Sequence, residues 1–161
     1  MLWVTSVADS VFQIDLFVKS PQTAAGDSRL CMRPWMIHAY ENGWNDAPEI
    51  GQFADSVVKD GPSLPRLHRP DIKPESRIVH TKHEGKDKFT KAWIYFTNSG
   101  GKWKNRKWHF IRCSLGDKEL VSQKSLSKEA PSFMAYVFRD RGGYRDNHAA
   151  SDLVEIETFK K

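Results

Sequence analysis

The stretch RLCMRPWMIHAYENGWNDAPEIGQFADSVVKDG, Arg29 to Gly61, decides how the chain is read. It opens with a short apolar strand, Leu30-Cys31-Met32. A loop follows Pro34 and carries His38 within Trp35-Met36-Ile37-His38-Ala39-Tyr40. A helix then begins near Asp46, because Asp46-Ala47-Pro48-Glu49 has the spacing of a capping box with proline in the first turn. Ile50, Phe53, Ala54, Val57 and Val58 fall at i, i+3, i+4, i+7 and i+8, a single helical face. Gly61 is expected to provide the left-handed stop, and Pro62 bars continuation. A histidine between a buried strand and a packed helix can be aimed by both, which is where α/β folds keep their chemistry.

Working outward, Leu2-Trp3-Val4-Thr5-Ser6-Val7 is almost continuously apolar and suits a strand buried on both faces of a parallel sheet. Asp9 stands at its carboxyl end. Val11, Ile14, Phe17 and Val18 then repeat at helical spacing, and Ser20-Pro21 is expected to end that helix. The order is strand, Asp, helix, strand, His, helix. A central parallel strand needs neighbours on both sides, so this part reads as the end of a larger sheet, and the chain as a fragment.

Length and composition bound the possibilities. With 161 residues, 39% hydrophobic and 28% charged, the chain has room for one domain or two small ones and is not of disordered composition. No apolar run approaches the roughly 20 residues of a membrane helix, and no basic segment precedes Leu2-Trp3-Val4 to suggest a signal peptide. Cys31 and Cys113 have no disulfide-framework or zinc spacing and read as buried thiols. Residues 1–61 carry 4 Lys+Arg against 8 Asp+Glu, net −4, whereas residues 62–161 carry 21 against 12, net +9. That change of sign marks a boundary.

Three segments follow from this: an α/β part over 1–61, a linker over 62–76 and a β-rich domain over 77–161. Pro62, Pro65, Pro70 and Pro74 in the middle segment are expected to keep it out of helices and sheet ladders. From Arg77 onward short apolar or alternating runs alternate with turns: 77–81, 92–97, 108–113, 119–121, 133–138 and 152–157. Six or seven short strands in this length suggest an immunoglobulin-like or fibronectin-like sandwich.

Asp9 and His38 form the leading catalytic pair. In a serine-hydrolase triad an acid holds the Nδ1–H of the histidine, which takes the proton of the nucleophile. In α/β-hydrolases the acid precedes the histidine in the chain. Adjacent parallel strands, about 4.8 Å apart, would let the two loops touch.

At these residues the chain resembles a known family. Residues 1–67 look like the end of the catalytic domain of an α/β-hydrolase-family serine esterase, more narrowly of bacterial acetylxylan-esterase-like and prolyl-oligopeptidase-like hydrolases with an appended β-sandwich. The resemblance rests on Leu2-Trp3-Val4 followed by Ala8-Asp9 and Phe12, on Leu30-Cys31-Met32-Arg33 before Met36-Ile37-His38, and on Pro48-Glu49-Ile50 with Phe53-Ala54-Asp55. Trp93, Trp108, Tyr136 and Asp140-Arg141-Gly142 resemble the appended sandwich. It implies Asp9 as orienter and His38 as general base, an ester of carbohydrate as substrate in the parent protein, no cofactor, and a parent often secreted or periplasmic. Thr5-Ser6-Val7-Ala8 replaces the usual Asn-Gly turn, Ala39-Tyr40 replaces Gly-His, and no Gly-x-Ser-x-Gly occurs. Without that nucleophile the fragment is expected to be inactive alone.

A second function class comes from Lys102-Trp103-Lys104-Asn105-Arg106-Lys107-Trp108. Cations interleaved with tryptophan can hold the charges of a polyanion or stack on sugars. Lys102, Trp103, Lys104, Arg106 and Lys107 are therefore candidate contacts for a polysaccharide or another polyanion; nucleic acid is not the expected partner, and no membrane role is expected. The plainer reading is a solvated hairpin tip with one tryptophan tucked beneath it, since lysines also keep sheet edges from pairing. His80, His83, His109 and His148 have no zinc spacing and receive no role.

Overall fold

The computed structural model describes residues 1–7, 9, 14–26, 28–32, 47–61, 63–84, 89–130, 132–139, 147–150 and 154–155. In chain order the elements are β1 (Leu2–Thr5), α1 (Ile14–Thr23), β2 (Arg29–Met32), α2 (Pro48–Val58), β3 (Arg66–Leu67), β4 (Asp71–Ile72), β5 (Val79–Glu84), β6 (Lys91–Thr97), β7 (Trp108–Leu115), β8 (Glu119–Ser122), β9 (Ser132–Arg139), β10 (Asn147–Ala150) and β11 (Val154–Glu155).

β6 decides the architecture. Its sequence, Lys91-Ala92-Trp93-Ile94-Tyr95-Phe96-Thr97, is β-branched and aromatic, and it alternates between two apolar sets rather than between apolar and polar. Ala92, Ile94 and Phe96 pack on one face with Val79, Ile111, Cys113, Leu120 and Leu126. Trp93 and Tyr95 pack on the other with Val7, Ile14, Leu30 and Met32. Both edges of β6 are occupied as well, by β7 and β9, each antiparallel.

Among the described residues nine strands form one antiparallel sheet in the order β10-β9-β6-β7-β8-β5-β3, with β11 beside β9 and β4 beside β5. The successive strands β6, β7 and β8 are joined by turns, and β9 returns to lie on the free side of β6, a Greek-key order. The sheet curls until its end strands β3 and β10 approach within 8 Å between Cα atoms, around the core of Ile94, Leu120 and Val79.

This corrects the expected fold class. The chain is not the end of an α/β-hydrolase sheet joined to an immunoglobulin-like sandwich. A sandwich needs two sheets face to face, whereas the described strands after residue 65 belong to one hydrogen-bonded sheet. The second face of β6 is covered instead by the N-terminal segment through Ile14, Leu30 and Met32. That segment contributes a two-stranded parallel pair, β1 with β2, and α1 between them. No stack of hydrolase helices flanks it among the described residues. β1 is not enclosed on both faces: Leu2, Trp3 and Val4 are half-buried and only Thr5 is fully covered.

Local expectations shift too. β3 and β4 lie inside 62–76 and both pair with β5, so the prolines do not keep this segment out of the sheet. Each strand is two residues long and fits between Pro65, Pro70 and Pro74, as edge pairing permits. α1 runs through Ser20-Pro21 to Thr23; the proline sits in the last full turn, where it removes only one bond. α2 carries no side-chain cap at Ala47, and Asp46 lies outside the described residues. It turns Glu49 and Gln52 inward, leaving Ile50, Val57 and Val58 exposed. The left-handed residue after it is Asp60, φ 52, rather than Gly61. Gly61 is needed for space, since a Cβ there would lie 3.1 Å from the Asp55 carbonyl oxygen. Cys31 and Cys113 are buried free thiols. No helix among the described residues is long and apolar enough to cross a membrane.

Truncating the centre of this arrangement should be costly. Ile94→Ala is expected to lower unfolding stability by about 3 kcal/mol, the usual loss for a buried aliphatic cut to alanine, read as a lower urea midpoint at unchanged slope. Burial pushes the Cys113 thiol from 9.0 up to about 12 and the Tyr95 phenol from 10.0 up to about 12. Below those ordinary values both groups are protonated in folded and unfolded chains alike. Above them only the unfolded chain releases its protons, so stability should fall as the pH rises from about 9 toward 12. Denaturation midpoints across that range test this, and Cys113→Ala should flatten the decline.

Candidate functional site

The hairpin between β6 and β7 spans ten residues, 98 to 107, and holds its shape by its own hydrogen bonds. Thr97, fully buried at the end of β6, brings its hydroxyl to 3.0 Å from that of Ser99 and accepts from the Ser99 N–H. The Ser99 hydroxyl in turn accepts from the Lys107 N–H at 3.2 Å, tying the two ends of the loop together. Gly101 has φ +82, a conformation that side chains disfavour. A single 3₁₀ turn, Trp103–Asn105, then folds back over the sheet.

Arg106 and the tryptophans fasten that turn. The Trp103 and Trp108 rings stack with centroids 6.3 Å apart and an interplanar angle of 19°. The Arg106 guanidinium lies over the Trp103 ring, 3.5 Å from its centroid, an arrangement in which charge and ring quadrupole attract. Arg106 also donates from Nε to the Gly101 carbonyl at 3.1 Å and from its terminal nitrogen to the Ser132 hydroxyl at 3.4 Å. Trp103 and Trp108 are half-buried against the core that contains Tyr95 and Met32. Of the five residues singled out in the sequence, Trp103 and Arg106 thus shape the loop. Lys102, Lys104 and Lys107 are the exposed ones.

Register places further groups beside them. Thr97 is opposite Trp108, Tyr95 opposite Phe110 and Trp93 opposite Arg112, so Trp108, Phe110 and Arg112 line the face of β7 that carries the tryptophan pair. The N-terminal segment covers Trp93 and Tyr95 but stops short of Phe110, which is 62% exposed. The Phe110 ring leans on Tyr95 at 6.2 Å between centroids. Sequence reasoning missed Phe110 and Arg112. Their signal was the i, i+2 spacing from Trp108, which gives a common face only once β7 is known to be extended.

The electrostatics are one-sided. Between Lys91 and Gly116 there are six Lys or Arg and no Asp or Glu. Lys102, Lys104, Lys107 and Arg112 make no ion pair with any described residue. By register, Glu119 of β8 shares that face, where it meets His80 Nδ1 at 3.2 Å.

Of the expected acid–base pair, only Asp9 falls on the described residues. Asp9 follows β1, half-buried, with its backbone N–H donating to the Ser6 carbonyl at 3.3 Å. His38 lies outside the described residues. Among the described residues no group of three His, Cys, Asp or Glu is placed to hold a metal ion. No protein-family profile, no curated protein and no solved structure matches the chain.

Arg106→Ala removes the cover of Trp103 and two hydrogen bonds. We expect a loss of about 2 kcal/mol, the range for bonds to a charged donor, with red-shifted tryptophan emission as Trp103 becomes wetter. Arg106→Lys should rescue little, because a single ammonium cannot both stack and donate in the fork geometry.

Proposed function

We propose that this chain is a binding module that grips an anionic polymer along the β6–β7 hairpin. The observation that carries this reading is the concentration of free cations on a stiffened loop. Lys102, Lys104 and Lys107 are exposed and unpaired among the described residues, on a hairpin whose backbone is tied by Ser99, Gly101 and Arg106. A pre-ordered loop loses less entropy on binding than a mobile one. Cations without neighbouring carboxylates keep their full attraction for phosphate or sulfate. Each neutralised charge releases counterions, so affinity should fall steeply with salt.

The esterase reading finds no matching support among the described residues. Acyl transfer needs a nucleophile, a base and oxyanion donors converging on one point. His38, the base this reading needs, lies outside the described residues, and the hydrolase sheet that would have aligned it with Asp9 is not the fold of this chain.

Retention on immobilised heparin provides the test. The wild-type chain should elute at markedly higher salt than a variant with Lys102, Lys104 and Lys107 all changed to Gln, whose fold, checked by circular dichroism, should be intact. Equal elution of the two proteins would remove the hairpin from any binding role.

A further inference from the structure

Phe110 is a large aromatic left 62% exposed, and its position is unusual. It sits in β7 between Trp108 and Arg112 on one face, paired with Tyr95 of β6, while β8 joins β7 farther along at Cys113–Leu115. A phenylalanine there could have been tucked under the N-terminal segment, as Trp93 and Trp108 are. It is instead left 62% open at the margin of that layer, supported underneath by Tyr95. The turn that carries Lys102 and Lys104 folds onto the same face, because Trp103 stacks on Trp108. Arg112 lies two residues beyond Phe110, exposed and free of ion pairs with described residues.

Resting on the polyanion reading above, and departing from the sequence expectation that nucleic acid is not the partner, we infer that the polymer is a single-stranded nucleic acid, with Phe110 as the platform on which a base stacks and Arg112, Lys102 and Lys104 as phosphate contacts. The donor set favours this over a polysaccharide. Sugar hydroxyls need acceptors as well as donors, and this segment supplies cations with no carboxylate from Lys91 to Gly116. A phenyl ring offers a π-face and no hydrogen bond, which suits a base of any identity. A duplex fits poorly, since its bases are already stacked and, among the described residues, no wedge or groove-entering helix stands beside the exposed ring. Binding should therefore be strong in salt dependence and weak in sequence preference.

The experiment uses the full chain and three probes at one fixed salt concentration: fluorescein-labelled oligodeoxythymidine, the same-length duplex, and heparin. The expected order is single strand tighter than duplex. Phe110→Ala is expected to weaken oligodeoxythymidine binding about tenfold, within the range for losing one stacked base, and to leave heparin binding unchanged. Phe110→Trp should restore the oligonucleotide affinity. Because Phe110 is exposed, both variants should unfold at the wild-type urea midpoint. Equal effects of Phe110→Ala on oligonucleotide and heparin would overturn the stacking role. So would an oligonucleotide affinity that ignores Phe110 while still responding to Lys102, Lys104 and Lys107→Gln, and that result would leave the polyanion reading standing. Absence of binding to all three probes would sink both.

Discussion

A strand with no free side is the constraint from which the rest follows. β6 is hydrogen-bonded along both edges and packed on both faces, Ile94 into the interior of the curled sheet and Tyr95 beneath the N-terminal segment. Ile94 is 0% and Tyr95 5% exposed, although they are adjacent in the chain and point in opposite directions. Such a strand can be satisfied only if something else covers the outer face of an otherwise one-sided antiparallel sheet. The parallel pair β1–β2 with α1 fills that place. The apolar side chains Val7, Ile14, Leu30 and Met32 that looked like the inside of a larger parallel sheet have their partners here, on Tyr95 and the tryptophans.

The same arrangement explains why the hairpin is rigid and charged at once. Its apolar members, Trp103 and Trp108, are drawn into the outer core, and Arg106 closes over Trp103. The lysines interleaved with them are left at the surface by the alternation of the chain. A loop built on a central strand inherits that strand's order, so its charges are presented at fixed positions. The indole N–H of Trp108 is buried without a hydrogen-bond partner among the described residues, as is that of Trp3, a cost accepted for the area these rings cover.

How much of this could be read from residues alone varied by element. The strands at β6, β7, β8 and β9 were legible because runs such as Ala92 to Thr97 are dense in β-branched and aromatic residues, bounded by Asn98-Ser99-Gly100-Gly101 and Gly116-Asp117. The helix at α2 was legible from its apolar spacing, yet that spacing did not say which side would be packed; Glu49 and Gln52 turned inward while Val57 and Val58 did not. The two-residue strands β3 and β4 were hidden because pairing of that length needs no propensity, only a neighbouring edge, which β5 supplies. The basic hairpin was conspicuous, but the division of labour within it was not. Nothing in Lys102 to Lys107 says that Arg106 will lie on Trp103 while the lysines stay free.

By itself, then, the sequence determined local conformation and charge: where the chain extends, where it turns, and where cations gather without acids. These follow from side-chain shape, backbone restriction and composition, all properties of a few adjacent residues. Tertiary structure decided how many sheets there are, which face of α2 is buried, and that Phe110 is left 62% exposed. Those outcomes depend on contacts between segments tens of residues apart, such as Leu30 with Tyr95, and on the curl that brings β3 near β10. A periodic pattern reports that a face is apolar; only the assembled neighbours determine what covers it.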